Sequence, residues 1–261
     1  MYRTSFRSPE DGREALLDAL LPLLPSGVRE GPDTVSVISG APLDRAVLEA
    51  VAGPLDGWAV EEVPADWRQR RGEEGVLIGG RVYIRSPFDP PPAEGLVDVV
   101  VERRGSSAFG SGSHPTTQMC VSLLLEVEPC GGVADLGCGV GTLAIAAAKL
   151  GWAPVVGVDR VEVAIEVGRE NVERNGVDVS LAVADLAVDD VPLAPMVLVN
   201  APPPVHERIV ASMTSEVRHV IASGIVADEV PDVVRGYRSV GFEVANAVGT
   251  EDEWIALRLS C

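Results

Sequence analysis

The chain has 261 residues, 46% hydrophobic and 23% charged, with a formal net charge of −18. That length leads to two structural units, and the acidic surplus disfavours direct contact with nucleic acid while favouring a basic protein partner. No run of about eighteen apolar residues occurs, and the opening MYRTSFRSPEDGRE has no apolar leader, so neither a membrane span nor a secretory signal is expected and the cytoplasm is the expected compartment.

In chain order, YRTSF is a candidate strand, and residues 10–21 place Leu16, Leu17, Leu20 and Leu21 on one helical face, ended by Pro22. TVSVIS (34–39) alternates like a strand, 41–53 is helical, and WAVEEV (58–63) is strand-like. Residues 1–63 therefore form a small α+β unit, too short and polar for a deep active site. A hairpin at 76–86, a stiff proline-rich stretch at 86–95 and a strand at 96–102 make residues 64–105 a connecting segment.

From residue 106 onward, strands and helices alternate. Helices are predicted over 115–127, 141–150, 161–175 and 226–240. Strands are predicted over 132–136, 154–158, 179–184, 195–199 and 217–222, with a closing antiparallel pair, FEVANAV and EWIALRL. The pattern predicts an α/β fold: a Rossmann-like sheet of seven strands covered on both faces over residues 106–261, beside the small N-terminal α+β unit. Residues 91–261 hold 11 basic against 24 acidic side chains, so they carry −13 of the net charge. Cys120, Cys130, Cys138 and Cys261 have no paired metal spacing and read as free thiols; no metal site is expected.

Residues 132–159 are the most informative stretch: an apolar strand, the glycine turn DLGCGVG, a helix, and a second strand ending in Asp159. Gly137, Gly139 and Gly141 remove side chains where a ligand must approach the backbone. A dinucleotide site would show GxGxxG; here glycine recurs at every second position, with Asp135 just before the turn. Asp135 before the turn, Asp159 at the second strand tip and Asp185 after the third strand resemble the S-adenosylmethionine pattern of Rossmann-like methyltransferases. In that pattern Asp135 faces the cofactor's ammonium side, Asp159 its ribose hydroxyls and Asp185 its adenine amino group. Taken singly, Asp185 also suits a turn or helix cap.

AFGSGSHPTTQMC (108–120), DLGCGVGTLAIAAAKLG (135–151), ENVERNGV (170–177), VNAPPPVHERI (199–209), SGI (223–225) and DEWIALRL (252–259) resemble the ribosomal protein L-eleven methyltransferase (PrmA) family. ADWRQRRGEEGVLIGGRVYI (65–84) adds to it, so the similarity spans most of 65–259. The resemblance implies cofactor contacts from Thr117, Gly137, Asp159 and Asn200, a flap from Phe109 and Gly110 with a turn at Gly112, and a substrate-recruiting role for the first unit. A hydroxyl at Thr116 or Thr117 also suits the helix N-terminus, and His114 suits a bond to backbone at the helix start.

The resemblance implies methyl transfer to amino groups of ribosomal protein L-eleven, on lysine and at the terminal amine, with Asn200 and nearby carbonyls positioning the amine. Where the family has an aliphatic residue this chain has a proline run, NAPPP (200–204), expected to be a rigid turn and a reshaped acceptor pocket. A small-molecule methyltransferase and a cofactor-binding module without catalysis are the alternatives.

Overall fold

The computed structural model describes the chain except residues 1, 9–15, 18–19, 21–28, 31–33, 40, 63–74, 88, 103–111, 113 and 251–253. It divides into two compact units: Met1–Gly72 with Gly105–Ser107, and Glu73–Arg104 with Ala108–Cys261. None of its helices is long and apolar enough to cross a membrane, among the described residues.

The first unit is a four-stranded sheet in the order β2-β3-β1-β4, from β1 (Tyr2–Arg7), β2 (Arg29–Glu30), β3 (Thr34–Ser39) and β4 (Ala59–Glu62). β1 lies antiparallel between β3 and β4, and alternation sends Phe6, Val35 and Val37 into a core shared with Leu17, Leu20, Leu48 and Leu55. Of the predicted helix at 10–21, Leu16, Leu17 and Leu20 are helical; the rest lies outside the described residues. Helix α1 (Arg45–Ala52) starts where the Asp44 carboxylate accepts from the Ala46 amide at 2.9 Å, and Gly53 ends it with φ +77°.

The second unit opens with β5 (Val76–Ile78), β6 (Val82–Arg85) and β7 (Val97–Val100) in one sheet. The hairpin turn uses Gly79 and Gly80 at φ +57° and +64°, the left-handed pair that a tight hairpin favours.

Its main body is the expected seven-stranded sheet, in the order β10-β9-β8-β11-β12-β14-β13. The strands are β8 (Val133–Leu136), β9 (Val155–Asp159), β10 (Val179–Val183), β11 (Met196–Asn200), β12 (His219–Val226), β13 (Glu243–Gly249) and β14 (Trp254–Ser260). β8 to β12 run parallel, and β14 joins antiparallel to both β12 and β13. Helices α2 (Pro115–Leu124), α3 (Thr142–Lys149) and α4 (Glu162–Asn175) pack on one face; α5 (Pro203–Ser212) and α6 (Val230–Ser239) cover the other.

Helix α5 was not expected. The proline run reads as a turn, yet Pro203 and Pro204 occupy the first helical turn, where the missing N–H groups would have had no partner in any case. The ENVERNGV stretch has a structural use. Asn171 and Asn175, one helical turn apart on α4, bond backbone groups of Glu102 and Val100, and the buried Asn171 amide also donates to the Val140 carbonyl at 3.1 Å. Two asparagines thus tie the edge of the three-stranded sheet to the glycine turn.

Candidate functional site

The strands run outward from β8 to β10 on one side and from β11 to β12 on the other. The order of strand addition therefore reverses between the parallel neighbours β8 and β11, the point beyond whose C-terminal ends an open α/β sheet forms its ligand crevice. The pleat places Asp135 and Asn200 on the face shared by Val133, Met196 and Leu198, under α2 and α3. The turn after β8, the tip of β9 and the end of β11 therefore border one place.

The glycine turn is held by its own backbone. The amides of Gly137 and Cys138 donate to the Val158 carbonyl at 2.8 and 2.9 Å, and Gly141 donates to Cys138 at 2.9 Å. Gly137, Gly139 and Gly141 have φ of +82°, +53° and +82°. A Cβ on Gly137 would meet only the Ala201 Cβ, at 4.0 Å, so there the left-handed backbone, more than lack of space, requires glycine.

Asp135 lies beneath this turn and is 1% exposed. Its Oδ2 accepts from the Ala144 amide at 3.0 Å in the first turn of α3, while Oδ1 has no hydrogen-bond partner among the described residues. Burial pushes its carboxyl up to about 7, the Ala144 bond opposes that shift, and neighbouring Asp159 adds to it. An unsatisfied carboxylate oxygen under an N-terminal turn of bare backbone fits a small ligand with a cationic centre, such as S-adenosylmethionine.

Asp159 ends β9, with Oδ2 accepting from Gly139 at 2.8 Å and Oδ1 from Val161 at 2.9 Å. It braces the glycine turn, and each oxygen keeps a lone pair for a diol. Asp185 is partly exposed and accepts from the Ala187 amide at 2.9 Å, the turn-capping use that its residue type also allows.

At the end of β11 a polar chain runs in one direction. Asn200 Nδ2 donates to Thr116 Oγ1 at 3.0 Å, and Thr116 Oγ1 lies 2.7 Å from His114 Nδ1. Because Thr116 accepts from Asn200 and His114 Nδ1 also accepts the Thr116 amide at 3.3 Å, the hydroxyl proton points to His114. Burial lowers the His114 pKa and favours that neutral form. Asn200 is thereby oriented with Oδ1 as its remaining acceptor. The helix N-cap side chain is His114, as one sequence reading had it, and neither threonine takes that place. Thr117 is buried on the same turn, with its amide on the His114 carbonyl at 3.1 Å. Thr116, considered above only as a cap, is the residue that meets Asn200; two adjacent threonines gave no means of telling their faces apart. Phe109 and Gly110 lie outside the described residues. Gly112 has φ +79°, and a Cβ there would come within 2.3 Å of Ile84 Cγ2.

Behind Asn200 the chain is clamped. The Ala201 amide donates to the Ser223 carbonyl at 3.0 Å, and the buried His206 ring approaches the carbonyls of Ala201 and Ser223 at 3.0 and 3.1 Å. The Ala201 carbonyl thus faces the interior and the Pro202 carbonyl accepts from Val205, which leaves Asn200 as the better acceptor toward the crevice. Gly224, in the SGI segment, makes the approach possible: its φ is +80°, and a Cβ would sit 2.6 Å from the Ala201 nitrogen. Gly224→Ala is expected to destabilise the protein by about 2–3 kcal/mol through backbone strain and this clash. Urea melts of the two proteins measure it, and coincident midpoints refute it.

Neither buried thiol nearby is a nucleophile. Burial pushes Cys120 up to about 12, and Cys138 in the turn is shifted in the same direction.

A family model described as Ribosomal protein L11 methyltransferase (PrmA) matches residues 61–260. The Ribosomal protein L11 methyltransferase of Geobacter metallireducens is 36% identical over 204 residues, covering 76% of this chain and 65% of the relative, so the chain spans just under two thirds of that protein. A crystal structure of ribosomal protein L11 methylase from Lactobacillus delbrueckii subsp. bulgaricus superposes with a TM-score of 0.61 at 26% identity, covering 69% of this chain and 94% of the other. Pyrococcus abyssi tRNA (uracil-54, C5)-methyltransferase in complex with S-adenosyl-L-homocysteine gives a TM-score of 0.50 at 25% identity, covering 60% of this chain and 40% of the other.

Proposed function

Because the chain belongs to the ribosomal protein L11 methyltransferase (PrmA) family, we propose that it transfers methyl groups from S-adenosylmethionine to amino groups of ribosomal protein L11, on lysine and at the N-terminal amine. The observation that carries this reading is the oriented Asn200 at the end of β11, whose Nδ2 bond to Thr116 leaves Oδ1 as its remaining acceptor. When bound, the cofactor supplies an electrophilic methyl group, and no covalent enzyme intermediate is needed.

The work left to the chain is positional. A lysine ammonium with pKa near 10.4 loses its proton at a cost of about 4.6 kcal/mol at pH 7, from roughly 3.4 units at 1.36 kcal/mol each. Asn200 Oδ1 accepts an amine N–H and aims the nitrogen lone pair along the transfer axis. Asp135, the glycine turn and Asp159 form the cofactor's cradle, joined by Thr117; Asp185 serves the adenine end. The acidic surface of residues 91–261 steers a basic protein substrate, and the first unit recruits it in the cytoplasm.

The test is incubation with methyl-labelled cofactor and a ribosomal protein extract. Label on amino groups of L11 is the expected result. A protein that binds cofactor and labels no ribosomal protein overturns the reading, and label on a small-molecule acceptor redirects it.

A further inference from the structure

We propose that His206 is a positioning residue for methyl transfer: its imidazole fixes the turn after Asn200, and with it the acceptor oxygen. This rests on the amine-methylation reading above. His206 lies on α5 and is 1% exposed, among apolar side chains, yet both ring nitrogens have partners. Nε2 is 3.0 Å from the Ala201 carbonyl and 3.1 Å from the Ser223 carbonyl. Carbonyls only accept, so Nε2 carries the proton. Nδ1, 3.1 Å from Tyr237 Oη, then receives the phenolic proton. Every group is satisfied by one neutral tautomer.

The need for this clamp comes from the sequence of the turn itself. Pro202, Pro203 and Pro204 have no N–H, so beyond the Ala201 amide the turn offers no backbone donor of its own until Val205. His206 supplies the missing donor from behind and joins the end of β11, at Ala201, to the middle of β12, at Ser223, through a single proton. Tyr237 is itself fully buried and packs edge-on against both His206 and Phe242, with ring centroids 6.0 and 6.4 Å apart. Its contacts with Tyr237 and the two carbonyls hold the His206 ring in this orientation. Asn200 is therefore held twice: its side chain by Thr116, and its main chain one residue on by His206.

The variants that separate donor from filler are His206→Leu, which keeps most of the volume and removes the donor, and His206→Gln, whose amide N–H reaches the Nε2 position. His206→Leu is expected to lower kcat about tenfold or more, with the cofactor Kd within about twofold of wild type, while His206→Gln retains at least about a third of kcat. Hydrogen exchange of the Ala201 amide in the cofactor-free protein gives a readout that does not depend on turnover: about tenfold faster in His206→Leu and near wild type in His206→Gln. Should His206→Leu not fold, Tyr237→Phe removes only the hydroxyl that fixes the tautomer and is expected to lower kcat about threefold at unchanged Kd. The proposal is overturned if His206→Leu, or Tyr237→Phe in its place, turns over like wild type. Equal losses in the Leu and Gln variants with unchanged Ala201 exchange also overturn it. If the wild-type protein methylates no amine, the functional reading fails, and the exchange comparison alone decides the clamp.

Discussion

Asn200→Ala is expected to lower kcat by about a hundredfold or more and to leave the cofactor Kd within about threefold, because on the proposed reading it removes the direction of an amine more than the cradle of a cofactor. A hundredfold corresponds to about 2.7 kcal/mol of barrier, the scale expected when one aligned polar contact to the reacting group is lost. The bonds that hold the cradle do not pass through this residue: Asp135 is bonded to Ala144, and Asp159 to Gly139 and Val161. Thr116→Val is the companion experiment. It leaves Asn200 in place but removes the oxygen that receives Nδ2, so the amide loses its anchor and kcat is expected to fall by about tenfold. Single-turnover methyl transfer measured beside calorimetric cofactor binding separates the two effects. Wild-type turnover in Asn200→Ala eliminates Asn200 as the amine acceptor. Equal losses in turnover and affinity reassign it to the cofactor.

The sheet was legible in this sequence because its strands are apolar runs broken by turn residues, and because one glycine turn marks where a strand meets a helix. Residues 132–136 and 154–158 are each matched by an observed strand within a residue at either end. The site was legible only in part. Asp135, Asp159 and Asn200 sit at strand ends, where pattern alone directs them to one crevice. Thr116 could not be separated from Thr117, because a choice between adjacent helical residues depends on the helix's rotation against β11, which sequence spacing does not carry. His206 and Tyr237 were hidden for a different reason. They are 31 residues apart, and the proline run that conceals the start of α5 also conceals that His206 faces back toward the turn. Gly224 was noticed as part of SGI, but its purpose, close approach to Ala201, belongs to the pairing of β11 with β12.

Between about pH 4 and 7 Asp135 is expected to withdraw stability from the cofactor-free protein and to add affinity for the cofactor, both read against Asp135→Asn. The carboxyl is raised from 3.8 to about 7, so between those values the folded chain keeps a proton that the unfolded chain has released. Stability then falls as pH rises, is fully present below about 4, and is lost by about 7, with a total near 4 kcal/mol from roughly three units at 1.36 kcal/mol each. Asp135→Asn cannot ionise, so its stability relative to wild type climbs across that window and then levels. Chemical denaturation of both proteins at several pH values reads the difference in slope, which cancels the histidines and the other carboxylates common to the two. Cofactor binding runs the other way. An ionised Oδ1 without a partner is unfavourable in the empty crevice and favourable beside a cationic ligand, so wild-type affinity rises by up to about tenfold per unit below pH 7 and flattens above it, a dependence that Asp135→Asn lacks. Parallel stability curves for the two proteins would mean that Asp135 is ionised in the empty fold, with water or a shifted main chain meeting Oδ1. Parallel affinity curves would place the cofactor's positive charge elsewhere along the turn.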